Sequence, residues 1–491
     1  MPKKKSKAKK VEESRNIPFG WDTTDEDEIK RRRLRAETEQ MQITSLDSEA
    51  NFGNYGVVSS SGKQYVIEIR SLNEHINSCS CTDYHINYLG TCKHIEKVLI
   101  NLKKRGKRQF QKAAKEGSSK IEIYANPKDN KINIFWPNNH EVNSETYKLL
   151  NEFFSADGSL IADPRTAIPV IRRLINNAPE VVQENIRLSH RIEVVMKNSN
   201  DFLHKQQAKE FFIADVNAGK TSLDVLKLSL YDYQKQGMLH LAFLERALLA
   251  DEMGLGKTVQ AIAACELLRR MRGIRKILVV APTSLKAEWE EQIAKFTALP
   301  SIIVYGNRSI RLHQYQSESF FYLVSYEQVL RDHEHIQRLI APDVIILDEA
   351  QRIKNWQTQT AMAIKKLHSH YAFVLTGTPI ENRIDDIYSI MQFLDTSFFG
   401  SLFRFNREFY RFDENGKAIG YKNLDVLHKK LKPVLLRRLK TDVEGQLPER
   451  TVNNYFVPMS REQAERYVEY EHIVSRLASA AQKRPLLKEE F

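Results

Sequence analysis

The sequence predicts an α/β protein built on a doubly wound parallel sheet, with a small zinc-binding α+β module on its N-terminal side. Three observations carry this. Short, continuous apolar runs recur with helical patterns between them, as in strands buried on both faces. One such run, Ala247–Ala250, enters the glycine-bearing loop Asp251-Glu252-Met253-Gly254-Leu255-Gly256-Lys257-Thr258, which leads straight into a helix-forming segment. A third feature, Cys79-Ser80-Cys81 followed by Cys92-Lys93-His94, gathers four metal-ligand side chains within sixteen positions.

Composition sets the outer bounds. The 491 residues are 42% hydrophobic and 28% charged, as in soluble multidomain chains. No stretch reaches the ~18–20 apolar residues of a membrane span, and the N-terminal MPKKKSKAKK lacks an apolar signal core. An intracellular protein is expected: cytoplasm or nucleoid in a bacterium, nucleus in a eukaryote. The formal charge of +12 suits a polyanionic partner, although six lysines lie in the first ten residues. Two further basic clusters, Lys103–Arg108 and Lys429–Lys440, suit contact with a phosphate backbone. Four cysteines in an intracellular chain suit metal rather than a disulfide framework.

Residues 1–50 are polar, with the basic tail and an acidic patch at Asp22–Glu28, and read as largely disordered or weakly helical. Residues 51–104 form the compact module. Tyr65, Ile67 and Ile69 alternate as in a strand. Cys79, Cys81, Cys92 and His94 supply three thiolates and an imidazole, a set suited to closed, tetrahedral Zn²⁺. Their C-x-C then C-x-H spacing resembles the SWIM-type zinc finger, which implies binding to DNA or to protein. Residues 105–225 read as an accessory α+β region, with a hairpin formed by Ile121–Ile123 and Ile132–Ile134.

A lobe is expected over 226–400. Its loop presents successive backbone N–H groups to a polyphosphate at the positive end of a helix. Lys257 can reach the β- and γ-phosphates, and the Thr258 hydroxyl can ligate Mg²⁺. Asp251 stands where the general pattern has its first glycine. Buried strands follow at Lys276–Pro282, Ser301–Tyr305, Phe320–Val324, Val344–Leu347 and Phe373–Leu375. Asp348 and Glu349 close the fourth of these, at the strand end where such sheets place ligands. There Asp348 can hold Mg²⁺ and Glu349 can orient and deprotonate water.

In order, these segments resemble the Swi/Snf-type family of helicase-related, superfamily-two ATPases. The resemblance runs through Tyr233-Gln234, Asp251–Thr258, Ala281-Pro282-Thr283-Ser284-Leu285 with Trp289, and Ser325-Tyr326. It continues through Leu347–Asn355, Leu375–Asn382, Leu435–Lys440 and Leu447-Pro448. Asp251 is the family's own residue, whereas Gln351 departs from its commoner histidine. The resemblance implies a RecA-like lobe that binds ATP and duplex DNA and displaces DNA-bound protein. It implies that Gln234 reads adenine and that Thr376 and Thr378 relay the nucleotide state. Thr283, Ser284 and Ser325 fall at positions that contact backbone phosphates.

Residues 401–491 read as a helical extension, with Ser460 and Gln463 as a capping box. Nothing in them resembles the family's second RecA-like lobe, which supplies an arginine finger, so that lobe is expected in cis or in trans. Two other functions fit less of the pattern: a non-cycling ATP-, zinc- and DNA- or protein-binding module, and a strand-separating helicase.

Overall fold

A computed structural model describes residues 23–47, 51–137, 144–377, 384–447 and 455–481. The basic tail, Thr378 through Asn382 and Pro448 lie outside the described residues. Two compact units divide the chain, residues 1–443 and 444–491.

Chain order begins with a departure from expectation. Asp25–Thr38 is a capped helix, with Thr24 and Asp27 forming a reciprocal capping box and four acidic residues in its first turn. Acidic residues there complement the helix dipole. Its other support is distant in sequence: Arg32 donates two bonds to Asp83 (3.0 and 2.6 Å), and Arg33 donates to Glu96 (2.9 Å). A segment too polar to form a core of its own is ordered by ion pairs to a neighbouring module.

That module is a four-stranded antiparallel sheet in the order β1-β2-β3-β4, from Gln42–Ser45 (β1), Gly53–Val58 (β2), Gln64–Ile69 (β3) and Ser78–Cys79 (β4). Helices Thr82–Asn87, Lys93–Arg105 and Lys107–Glu116 follow. Tyr55, Val57, Ile67, Ile69 and three cysteines form its core. The sheet therefore starts at residue 42, ahead of the position the sequence suggested.

The accessory region contributes Ile121–Ala125 (β5), Ile132–Phe135 (β6) and Ile186–Leu188 (β7), in the order β6-β5-β7. The expected hairpin is β5–β6. A buried charge network joins this sheet to the first module. Glu68 accepts from Ser189 (2.8 Å) and from the His190 backbone N–H (2.9 Å) and is paired with Arg70, while Glu122 is paired with Arg187.

The lobe holds Arg246–Leu249 (β8), Ile277–Val280 (β9), Ser301–Ile303 (β10), Phe321–Val324 (β11), Val344–Leu347 (β12) and Tyr371–Leu375 (β13). A hairpin, Tyr410–Phe412 (β14) with Ala418–Tyr421 (β15), interrupts the stretch expected to be helical. Leu435–Leu436 (β16) then returns to pair with β8, so the sheet draws on residues beyond 400. The seven strands run in the order β10-β11-β9-β12-β13-β8-β16, and every pairing is parallel. Alternate residues of single strands enter opposite cores. Leu278, Val280, Ile345 and Leu347 join one, and Ile277, Val279, Val344 and Ile346 the other. Burial on both faces is the reason these strands read as unbroken apolar runs.

The cysteine-bearing module docks on this lobe through the segment between its second and third cysteines. Arg404 donates to the backbone oxygens of Asn87 (2.6 Å) and Tyr88 (3.1 Å), and the Ser401 N–H donates to Ile86 O (2.8 Å). Gly400 has φ +71°, and a Cβ there would lie 2.9 Å from Ile86 O and from the Tyr88 ring. Only glycine permits so close an approach. In the second unit, Arg461–Ala481 is helical and carries the expected Ser460–Gln463 capping box.

Candidate nucleotide and metal sites

The phosphate loop connects β8 to the helix Lys257–Arg272. Gly254 and Gly256 have φ +89° and +71°, conformations that only glycine adopts freely. A Cβ on Gly256 would lie 2.7 Å from Gln234 Nε2, so the loop and the glutamine are neighbours although 22 positions separate them. Gln234 also accepts from the Tyr231 N–H (3.1 Å) and donates to the Tyr233 hydroxyl (3.4 Å). Lys257 Nζ donates to Asp251 O (2.9 Å). Burial lowers the lysine's pKa, against the opposing pull of Glu349, Asp348 and Asp251.

Asp251 is fully buried, and its carboxylate faces inward, away from the loop's open side. Arg438 donates to both of its oxygens (Nε–Oδ1 3.0 Å, Nη2–Oδ2 2.5 Å), and Gln260 Nε2 donates to Oδ2 (3.1 Å). The guanidinium also bonds Tyr233 O and lies 5.3 Å from the centre of the Tyr233 ring. Asp251 thus serves the loop through its backbone and anchors it through its side chain. Glu252 is strapped as well: its N–H donates to Arg438 O (2.9 Å), and its carboxylate accepts from the Lys440 N–H (2.7 Å). Met253 and Lys257 face the end of β13, where a Cβ on Gly377 would lie 3.0 Å from Met253 Cγ and 3.8 Å from Lys257 Nζ. Leu255 is buried. Thr258 occupies the first turn of the helix.

Asp348 and Glu349 leave β12 at the same edge. Asp348 Oδ2 accepts from Trp289 Nε1 (2.7 Å) and Oδ1 from the Glu349 N–H (2.9 Å). Burial raises the Asp348 carboxyl above its ordinary range, and the neighbouring Glu349 charge adds to the rise. Glu349 itself adopts φ +50°, a left-handed conformation that costs a non-glycine residue about 1–3 kcal/mol. Gln351 connects this acid to β13: its amide donates to Glu349 Oε2 (2.6 Å), and its carbonyl accepts from Thr376 Oγ1 (3.1 Å). The variant residue bridges the acid and the threonine directly.

The positions expected to meet DNA divide. Thr283 and Ser284 are exposed on a short turn after β9. Ser325 sits in different surroundings from these two. It is buried, and its oxygen accepts from the Gln328 N–H (3.3 Å). It caps the helix Tyr326–Leu339. Arg438 leaves the basic cluster expected to face DNA, because it is spent on Asp251. No local signal in the sequence distinguishes it from Arg437.

The four soft ligands converge. Cys79 ends β4, Cys81 and Cys92 precede two helices, and His94 lies in the first turn of the second. Their ligand atoms lie within 4.8 Å of one another, all four residues are buried, and the cysteines are free thiols. His94 Nδ1 is 3.8 Å from Cys79 Sγ and 3.9 Å from Cys92 Sγ. In a tetrahedral site with Zn–S of about 2.3 Å and Zn–N of about 2.0–2.1 Å, a sulfur and a nitrogen lie about 3.5–3.6 Å apart, a few tenths of an ångström below these separations, so the donor set could hold Zn²⁺. Tyr65 stacks on the imidazole at 4.3 Å and fixes the ring plane.

An all-parallel sheet with a Gly-Lys-Thr loop and an acidic pair at one edge defines a RecA-like nucleotide-binding lobe. The chain belongs to the SNF2-related domain family, whose domain matches residues 233–489. It is 36% identical over 256 residues to the putative ATP-dependent helicase/translocase YwqA of Bacillus subtilis, covering 49% of this chain and 27% of that protein. It is 33% identical over 249 residues to the ISWI chromatin-remodeling complex ATPase ISW2 of Saccharomyces cerevisiae, covering 48% and 22%. The chain therefore spans under a third of the length of these relatives. Among solved structures, the Sulfolobus solfataricus SWI2/SNF2 ATPase core in complex with dsDNA is similar at 34% identity and TM-score 0.41, covering 52% of this chain and 54% of that one. No helix among the described residues is long and apolar enough to cross a membrane.

Proposed function

We propose that the protein is a DNA-dependent ATPase of the SNF2 type, which converts ATP hydrolysis into movement along duplex DNA and displacement of bound protein. The carrying observation is the chain of contacts Thr376–Gln351–Glu349 beside the Lys257 loop. Such a chain can tell a strand end what the acid beside the nucleotide is doing. The loop amides and Lys257 bind the phosphates, and Gln234 lies beside Gly256 for the adenine. Glu349, with Oε2 fixed by Gln351, orients a water and takes its proton.

Thr258 and Asp348 are hard oxygen donors that suit Mg²⁺. Both Asp348 oxygens already accept hydrogen bonds, which favours contact with the ion through water. Held by these residues, Mg²⁺ would supply positive charge to balance that of the phosphates. Zn²⁺ at Cys79, Cys81, Cys92 and His94 is structural, because four protein donors leave no open position. A second RecA-like lobe, in cis or in trans, completes the cleft in this reading.

The test is ATP hydrolysis with and without duplex DNA, on protein combined with a second lobe. Stimulation by duplex, abolished in Lys257→Ala, is the expected result. Hydrolysis indifferent to DNA refutes the reading.

A further inference from the structure

Of the two basic clusters, the C-terminal one is spent only in part. Arg438 is buried on Asp251 and Lys430 pairs with Glu408 at 2.6 Å, whereas Lys429, Lys432, Arg437 and Lys440 are exposed without an ion pair among the described residues. Early in the helix Lys93–Arg105, Lys93 is likewise paired with Glu39, and Lys97 donates to Ala36 O and Glu39 O (both 2.8 Å). From residue 103 the pattern changes. Lys103, Lys104, Arg105, Lys107, Arg108 and Lys115 are all exposed, and none has an ion pair among the described residues. Lys112 approaches Glu116 at 3.8 Å, with both groups largely in solvent. Glu116 is the only acidic residue from 97 to 116, against eight basic ones.

Placement argues against a merely solubilising role. Lys107 and Arg108 open the helix Lys107–Glu116, whose first turn holds no acidic residue. Cations there oppose the helix dipole, whereas Lys103–Arg105, ending the preceding helix, agree with it. The elbow at Gly106 thus brings together charges that the helices alone would keep apart. Its second helix is held in place: Phe110 packs on the module's core, and Asn73 Nδ2 donates to Ala114 O (2.6 Å). A dense set of exposed cations on two packed helices is suited to the evenly charged backbone of a nucleic acid.

We propose that the helix–Gly106–helix elbow of the zinc-ligand module is a second contact for duplex DNA, made to phosphates and independent of the nucleotide lobe. The choice of duplex rests on the proposed function; the existence of the contact rests on the unpaired charges.

The test is the salt dependence of binding to a short fluorescein-labelled duplex, by anisotropy, for the full chain and for Lys104→Ala/Arg105→Ala/Lys107→Ala/Arg108→Ala. These side chains are solvent-exposed, and an unchanged melting temperature verifies the fold. The slope of log affinity against log salt is expected to flatten by about 3–4, close to one unit per lost phosphate contact. Duplex binding with an unaltered slope overturns this contact alone. No duplex binding by the unsubstituted protein overturns the proposed function with it. Polyglutamate binding that falls in the variant while duplex affinity holds assigns the face to a protein, and overturns the proposal too.

Discussion

Arg438 reaches across 187 positions to hold Asp251 in a buried, two-bond ion pair. The pair ties the strand end that carries the phosphate loop to the segment that supplies the seventh strand. Asp251 replaces a glycine of the general loop pattern, and this pair is the physical reason the replacement is stable. A carboxylate there needs a buried partner, and Arg438 is long and planar enough to supply one.

Arg438→Ala is expected to destabilise the lobe by about 3–5 kcal/mol, because it leaves a buried charge uncompensated. The double variant Asp251→Ala/Arg438→Met is expected to recover part of the loss, since it removes both charges. Urea unfolding measures each. A single-variant loss below about 1 kcal/mol contradicts the anchoring role.

Gln351→Ala removes a hydrogen bond to the Glu349 side chain. Such bonds contribute about 1.5–3 kcal/mol, so kcat for ATP is expected to fall roughly 10–100-fold. KM should change little, because the amide meets the acid rather than the nucleotide. A variant with unchanged kcat and raised KM places Gln351 at nucleotide binding instead.

Acid stability should depend on Glu68. Burial by itself would raise its pKa, but Arg70 and the bonds from Ser78 and His190 bring it down to about 2 from an ordinary 4.5. A depressed carboxyl contributes stability that is complete above about pH 4.5 and lost as pH falls toward 2. The contribution is on the order of 3 kcal/mol. Glu68→Gln should flatten the stability curve across that window, followed by circular dichroism. An unchanged acid limb shows that the network does not join the two modules in solution.

Metal removal should unfold one module first. Three of the four candidate ligands lie in the core of the sheet β1–β4, and structural zinc contributes roughly 10–16 kcal/mol of apparent binding energy. Cys79→Ser or chelation is expected to expose residues 42–116 to protease and to release the Arg404 contacts. Limited proteolysis with mass spectrometry reads both. Unchanged protection of this region in the metal-free protein rules out a structural metal.

Much of the lobe was legible because its signals are local. Val344–Leu347 is a strand, residue for residue, since four apolar positions end in two acids. The hairpin β5–β6 and the Ser460 cap were legible for the same reason: turn chemistry and capping act within a few positions. The helix Asp25–Thr38 was not. Its composition reads as disorder or at most a weak helix, and the partners that order it, Asp83 and Glu96, lie 51 and 63 positions away. The two-residue β16 carries too short a pattern to be seen before its neighbour β8 is in place. Ser325 shows the opposite limit: a motif fixes its position, but burial and a capping bond decide what its hydroxyl does.

By itself, the sequence determined the parallel sheet, the phosphate loop, the acidic pair and the set of soft ligands, because periodicity and motif spacing act over short stretches of chain. Tertiary structure alone decided which charges are spent and which are free. It buried Arg438 against Asp251, made Ser325 a helix cap, linked Gln351 to Thr376 and left the cations of Lys103–Arg108 exposed without an ion pair among the described residues. An ionic group's role depends on what lies within a few ångströms of it, and here those neighbours come from distant parts of the chain.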